Sequence, residues 1–303
     1  MNRKSTIRSQ GQWFKGNTHA HTNRSDGNMT PEQLVSLYRD LNYSFLAITD
    51  HRCYGHFETL SQEDFFVWPG VELDIGVSSR KALCHHLVGL AMPGQNSFAH
   101  DERVLYEDDA SAEDLVKLLA ERGNFSIYAH PAWSHVQHEL LDEIDGLFGM
   151  EIYNSTCDVN AGTGYADSYY NRKLWKGQNW FCLASDDTHQ GKKDWGGGFI
   201  SVKTDALTHK DLYEAMTEGS FYASQGPEIT DFYVEDKVLH LACSPCRTIC
   251  LFADSFPGLA VNFDGETATA YDHKLSGREH YIRATCTDAA GRTAWTQPIW
   301  LDA

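Results

Sequence analysis

No stretch of this 303-residue sequence approaches the roughly 18 consecutive apolar residues that a membrane-crossing helix needs, so neither a transmembrane helix nor a membrane partner is expected. The basic amino-terminal stretch MNRKSTIRSQGQW is followed by no apolar segment of the kind a secretory leader requires, which makes a cytoplasmic location the expectation. Positive charge is scarce: 25 Lys and Arg stand against 42 Asp and Glu, a formal net charge of −17. Tracking long nucleic acid takes a basic stripe, so that class of partner is excluded. A small anionic substrate stays compatible, because bound divalent ions reverse the sign of the field locally. Paired cysteine motifs are missing too. Cys243 and Cys246 form one CxxC, with Cys250 beyond it, but no second pair stands nearby, and reduced strand cysteines are expected rather than a structural zinc site. There is no internal repeat and no low-complexity tract.

Histidine, by contrast, is plentiful. Fifteen are present, roughly double ordinary usage. His19 and His21, two apart after the apolar pair Trp13-Phe14, share one face if the strand continues through them. Asp26 follows in a Ser-Asp-Gly turn able to fold back toward them, so one strand end supplies two imidazoles and a carboxylate, half of a metal site. Further apolar runs finish on the same residue types. Phe45 to Thr49 stops at Asp50-His51, Phe65 to Val71 stops at Glu72, Phe125 to Ala129 stops at His130, and Trp180 to Ala184 runs into Ser185-Asp186-Asp187-Thr188-His189. His86-Leu87-Val88-Gly89-Leu90 instead begins with its polar residue. Strand ends that all carry chemistry point to the carboxyl-terminal mouth of an α/β barrel.

Strand, helix and loop alternate to about residue 223. Thr30-Pro31 opens a helix with Leu34, Leu37, Tyr38 and Leu41 on one face, and Ser111 caps another with Asp114 at its third position. A third helix is expected over 166–177. After Gly226-Pro227 the helical period vanishes and short β-type runs recur, separated by turns. The expected organisation is a hydrolase barrel over 1–226 and a small β-sandwich-like domain over 227–303.

Taken in order, HxH with its downstream Ser-Asp-Gly, Ile48-Thr49-Asp50-His51, Gly70-Val71-Glu72, His86-Leu87-Val88-Gly89, Ala129-His130-Pro131 and Ser185-Asp186-Asp187-Thr188-His189 resemble the PHP (polymerase and histidinol phosphatase) family over residues 12–225. The resemblance implies a distorted (β/α)7 TIM-like barrel with two or three divalent metals at its mouth, serving phosphoester hydrolysis by a metal-bridging hydroxide. It makes His19, His21, Glu72 and Asp187 ligands of one metal, and Asp26, His51 and His189 ligands of a second. Glu72 would bridge to a third, with His86 and His130. Mixed imidazole and carboxylate ligands suit Mn, Fe or Zn, with Mg also compatible. Many family members carry histidine where Asp26 stands, and the aspartate resembles the branch acting on nucleotides and short oligonucleotides.

Finer expectations follow. Only one of His85 and His86 faces inward from a strand, and His86 is the choice that matches the family. Asp187 shares a face with His189, so it is preferred to Asp186. Asp50 is expected to orient its neighbours rather than bind metal, and Glu151 and Asn154 are either mouth residues or ordinary strand-end polar groups. Asp187 and His189 are placed among the catalytic groups, together with Arg24, Arg52 and Arg80, whose guanidiniums lie within a few residues of ligand motifs and suit bidentate phosphate contacts. Trp195, before Gly196-Gly197-Gly198, is either a stacking residue or a packing one. A carboxyl-ester or carbamate hydrolase is the main alternative function and a non-catalytic metal-braced module the second; homo-oligomerisation is left open.

Overall fold

The computed structural model describes residues 3–76, 84–107, 109–191 and 193–301. In chain order these form β1 (Lys4–Ser5), β2 (Gln12–Asn17), α1 (Pro31–Asp40), β3 (Phe45–Ile48), β4 (Phe66–Gly76), β5 (Cys84–Ala91), α2 (Ala112–Glu121), β6 (Asn124–Tyr128), α3 (His138–Asp142), β7 (Leu147–Asn154), α4 (Ser155–Ala161), α5 (Asp167–Trp175), β8 (Phe181–Ser185), β9 (Phe199–Thr204), α6 (His209–Thr217) and β10 (Phe221–Ser224). Strands alone follow: β11 (Ile229–Glu235), β12 (Val238–Cys246), β13 (Thr248–Ala253), β14 (Phe256–Asn262), β15 (Ala268–Lys274), β16 (Tyr281–Thr287), β17 (Thr293–Thr296) and β18 (Ile299–Trp300). Among the described residues no helix is long and apolar enough to cross a membrane.

Local chemistry sets the first two helices. The Thr30 side chain accepts from Gln33 N–H while the Gln33 side chain returns to the Thr30 backbone, and Ser111 and Asp114 repeat the device on α2. The uniformly apolar β3 is buried at every position, as a strand covered on both faces must be.

One sheet of fourteen strands runs β14-β13-β16-β17-β10-β9-β2-β3-β4-β5-β6-β7-β8, with β18 paired to β16. Parallel pairing holds for β2–β3, β3–β4, β6–β7 and β7–β8. The regular alternation expected from the sequence breaks at β5, which runs antiparallel to both neighbours. Consequently Glu72 lies inside β4, paired with Val88, rather than at a strand end. At the far side, β9 and β10 are also antiparallel to their neighbours.

The change of texture at 226–227 is not a break in hydrogen bonding. β10 pairs with β17, so the late strands extend the sheet that carries the early ones. The first strand, β1, joins β11, β12 and β15 in a separate four-stranded sheet. Wholly buried Arg283 on β16 reaches Asn171 of α5 (Nε to Oδ1 3.1 Å), and Trp295 on β17 donates to Asp167 of α5 (3.0 Å). Strands β14 and β15 escape the sequence reading because they are largely exposed and lack apolar alternation. All the cysteines are free thiols, and Cys243, Cys246 and Cys286 are buried in one apolar cluster.

A buried ion pair ties α3 to α5. Lys173, 1% exposed, donates to Leu141 O (2.7 Å), lies 3.1 Å from Asp142 and sits over the Trp180 ring. Burial raises the Asp142 carboxyl, but the cationic groups of Lys176, Lys173 and Arg172 around it outweigh burial and hold the pKa at about 2. Removing one partner of a buried pair strands the other's charge, so Asp142→Asn is expected to cost about 3 kcal/mol in urea unfolding at neutral pH. Because the folded pKa is depressed, this stabilisation is present above the unfolded value of about 3.9 and is lost as pH falls toward about 2. An unchanged unfolding midpoint would show that the pair contributes nothing.

Candidate metal centre

The segments after the strands keep the sheet's neighbour relations, and that brings distant residues together. His21 N–H donates to Thr188 O (3.0 Å), Asp187 N–H to His19 O (2.9 Å), Thr49 N–H to Ala20 O (2.8 Å) and Arg52 N–H to Glu72 O (2.8 Å). Residues 19–21 are thus held between 187–188 and Thr49, with Glu72 alongside residues 51–52. The backbone turns sharply at two of these points, Arg52 (φ 52°) and Asp187 (φ 53°), and again at His130 (φ 27°): all three adopt the left-handed region, strain of the kind that collects at functional sites.

Four buried side chains meet first. His21 Nε2 lies 3.2 Å from His19 Nε2 and 3.0 Å from Asp187 Oδ1, and Glu72 Oε2 lies 3.2 Å from both imidazole nitrogens. Asp26, on the exposed rim, faces His189 Nε2 at 3.4 Å, His51 Nε2 at 3.7 Å and His21 Nδ1 at 3.6 Å. Glu72 turns its other oxygen to His86 Nδ1 (2.8 Å) and His130 Nε2 (3.4 Å), while Oε2 is 3.3 Å from His51 Nδ1. Three groups with the reach of metal ligands result: His19, His21, Glu72 and Asp187; His21, Asp26, His51 and His189; and His51, Glu72 and His86. The partition differs from the expectation in detail. His21 joins the second group as well as the first, and His51 rather than His130 completes the third.

Electrostatics follow from this crowding. Burial alone lowers an imidazole pKa, yet the facing carboxylates of Asp187 and Glu72 carry His19 well above its ordinary value and His21 to about 9. Burial likewise opposes a charged His86, and Glu72 overrides it to about 10. For His51 burial dominates, reinforced by His21 and His86, and its pKa falls. Its Nδ1 is buried without a hydrogen-bond partner.

These donors fit divalent ions. An orphaned buried imidazole nitrogen, carboxylates and imidazoles meeting at little over 3 Å, and ring nitrogens directed by bonds on the opposite side are what a metal centre requires. His19 Nδ1 is bound to Glu151 Oε1 (2.8 Å), leaving Nε2 toward the cluster. His189 Nδ1 is bound to Asp187 O (2.8 Å), leaving Nε2 toward Asp26.

The surrounding residues explain how the cluster is held. Glu151, 1% exposed, accepts from His19 Nδ1, Ser185 Oγ, His130 N–H (2.9 Å) and Asn154 Nδ2 (2.8 Å), and Asn154 Nδ2 also lies 3.1 Å from Asp187 Oδ2. Asp50 accepts from Thr22 N–H (2.7 Å), Thr22 Oγ1 (2.6 Å) and Ser25 Oγ (2.8 Å), fixing the loop that carries Asp26. Asp186 points away from Asp187 and accepts the N–H groups of Gly196, Gly197 and Gly198, each at 2.8 Å. Gly198 has no room for a side chain, since a Cβ there would stand 2.3 Å from Ser185 O. His85 turns from the cluster to the Tyr128 hydroxyl (2.6 Å). Trp195 packs against an apolar cluster and does not line the cavity.

The arginines depart from expectation. Arg52 forms a bidentate pair with Asp74 (2.9 Å from both Nε and Nη2), and Arg24 pairs with Asp101. Each guanidinium is committed to a carboxylate beside it, and neither lines the cavity over the cluster. Arg80 lies outside the described residues. The cavity measures about 280 Å3 and is lined by Asp26, His51, Glu72, His86, His130, Asp187 and His189, with a wall of Trp133, Thr156, Cys157 and Asn160. Sequence reasoning misses Trp133, whose one signal is its position two residues beyond His130-Pro131.

No protein-family model and no curated protein matches the chain. Among solved structures, a two-domain protein from Bacteroides vulgatus ATCC 8482 containing a predicted PHP-like metal-dependent phosphoesterase is similar over 94% of both chains, with a TM-score of 0.52 and 14% identity. A candidate metal-dependent phosphoesterase from Bifidobacterium adolescentis ATCC 15703 covers 62% of this chain and 91% of its own (TM-score 0.45, 16% identity). An amidohydrolase from Chromobacterium violaceum, with bound sulfate and no metal, covers 68% and 96% (TM-score 0.47, 14% identity). The likeness to the first, end to end, is one of fold.

Proposed function

We propose that this chain, which has the PHP-like fold, is a metal-dependent phosphoesterase acting on a small phosphate ester. One observation carries the reading: eight imidazole and carboxylate side chains, drawn from His19 to His189, form three groups with the reach of metal ligands at the floor and wall of one cavity, with His130 beside them. The PHP order of the motifs and the end-to-end likeness to a protein containing a predicted PHP-like phosphoesterase support phosphorus as the reacting centre. In this reading the mixed strands from β2 to β9 form the distorted (β/α)7 barrel, and residues 227–303 form a small β-domain.

The proposed ligands of two or three ions (Mn, Fe or Zn, with Mg compatible) are His19, His21, Glu72 and Asp187; Asp26, His51 and His189 with His21; and Glu72, His86 and His51, with His130 beside them. Such ions supply Lewis acidity toward phosphoryl oxygens and acidify water for attack. The chain's own part is to aim and hold. Glu151 fixes the His19 tautomer, Asn154 restrains the Asp187 carboxylate, and Asp50 anchors the loop bearing Asp26. A carboxyl-ester or carbamate hydrolase is the second reading, favoured by the absence of Lys and Arg from the described cavity lining.

Metal content measured together with turnover of p-nitrophenyl phosphate, bis-p-nitrophenyl phosphate and p-nitrophenyl acetate separates the two. Metal-dependent phosphate release is the expected result. Acetate ester turnover with no phosphate ester turnover overturns the first reading in favour of the second.

A further inference from the structure

Among the described residues Trp133 is the one large apolar side chain on the cavity wall, and it is 39% exposed in a molecule whose aromatic rings are nearly all buried or half-buried. It does not sit on a free loop. Ser134 N–H donates to His130 O (3.1 Å), His135 N–H to Ala132 O (3.3 Å) and Val136 N–H to Pro131 O (3.4 Å), so the turn after β6 is fixed. The indole meets two cluster histidines edge to face, His130 at 5.0 Å and 81° and His86 at 5.6 Å and 73°. A tryptophan held half in water beside the cluster offers a flat apolar surface of the kind a planar ring can cover.

Polar groups on the same wall are equally unassigned. Thr156 Oγ1 is buried and has no hydrogen-bond partner, and the exposed Asn160 amide stands one turn further along α4. No Lys or Arg belongs to the described lining, so nothing there binds a second phosphate by charge. The volume of about 280 Å3 lies just below the usual range of about 300–1,000 Å3 for ligand sites, which suits one phosphoryl group and one ring.

We propose that Trp133 is a substrate-binding residue that stacks on a planar aromatic ring carried by the phosphate ester, with Thr156 and Asn160 hydrogen-bonding the same group. This rests on the phosphoesterase reading and narrows its substrate class to esters bearing a single planar ring.

The test is calorimetric titration of the Mn2+-loaded full chain with methylphosphonate, cyclohexylphosphonate and phenylphosphonate, none of which is turned over. The last two are close in size but only one is planar. Phenylphosphonate is expected to bind about fivefold more tightly than cyclohexylphosphonate, the value of one aromatic stacking contact. Trp133→Leu, with metal content checked, is expected to erase that preference and leave methylphosphonate affinity unchanged, and Trp133→Phe to restore part of it. Equal binding of the two ring compounds by the wild-type chain overturns the proposal without any variant. So does a preference that survives in a metal-replete Trp133→Leu protein. Failure to bind any phosphonate, methylphosphonate included, instead removes the phosphoesterase reading on which the proposal stands, and the proposal with it.

Discussion

Glu72→Gln is expected to abolish activity, lowering kcat by about 10³-fold or more and reducing bound metal by at least one ion per chain. The residue is 1% exposed, and its two oxygens face five imidazoles: His19, His21 and His51 on one side, His86 and His130 on the other. An amide of the same shape removes the negative charge and turns donors toward nitrogens whose lone pairs are wanted for metal. Metal-assisted stabilisation is worth several kcal/mol, and about 4 kcal/mol corresponds to roughly 10³ in rate. The measurements are kcat on a phosphate ester and metal stoichiometry by mass spectrometry, with circular dichroism to show that the fold survives. Full metal content with full activity in this variant would sink the assignment of the centre.

Glu151→Gln is expected to raise the metal dissociation constant about 10- to 100-fold without touching a ligand, the usual effect of losing a residue that orients one. The carboxylate receives four donors, His19 Nδ1 and Ser185 Oγ on one oxygen and His130 N–H and Asn154 Nδ2 on the other. A glutamine must place its NH2 against one of these pairs. Facing His130 and Asn154 it meets two donors. Facing His19 it forces the proton from Nδ1 to Nε2, the atom that faces the cluster. Either outcome weakens the site, and activity is expected to recover as added metal rises. Metal titration of wild type and variant reads this directly, and equal affinities would reduce Glu151 to a packing role.

These two residues also mark what the sequence reveals and what it hides. Ligand types at the ends of apolar runs are local patterns, so the residues in HxH, Asp50-His51 and Asp187-x-His189 stand out from their immediate neighbours in the chain. Glu72 is visible as a polar interruption, but its place inside β4 depends on the hairpin with β5, a pairing that periodicity does not report. Glu151 stays ambiguous because its main partner, His19, is 132 positions away. Arg24 and Arg52 look available in the sequence because their carboxylates, Asp101 and Asp74, come near only through folding. For the late strands, those with alternating burial can be read, whereas exposed β14 and β15 carry no pattern.

The pairings of β1 with β11 and β10 with β17 bear on how the molecule comes into being on the ribosome. Synthesis delivers the amino terminus first, at about 5–20 residues per second. β1 must therefore wait for residues 229–235, and β10 keeps an open edge until residues 293–296 emerge. An open edge is a template for pairing with other chains. The nascent amino-terminal half thus completes its sheet only when the last strands arrive, and cutting the chain at the change of texture would leave that edge exposed for good.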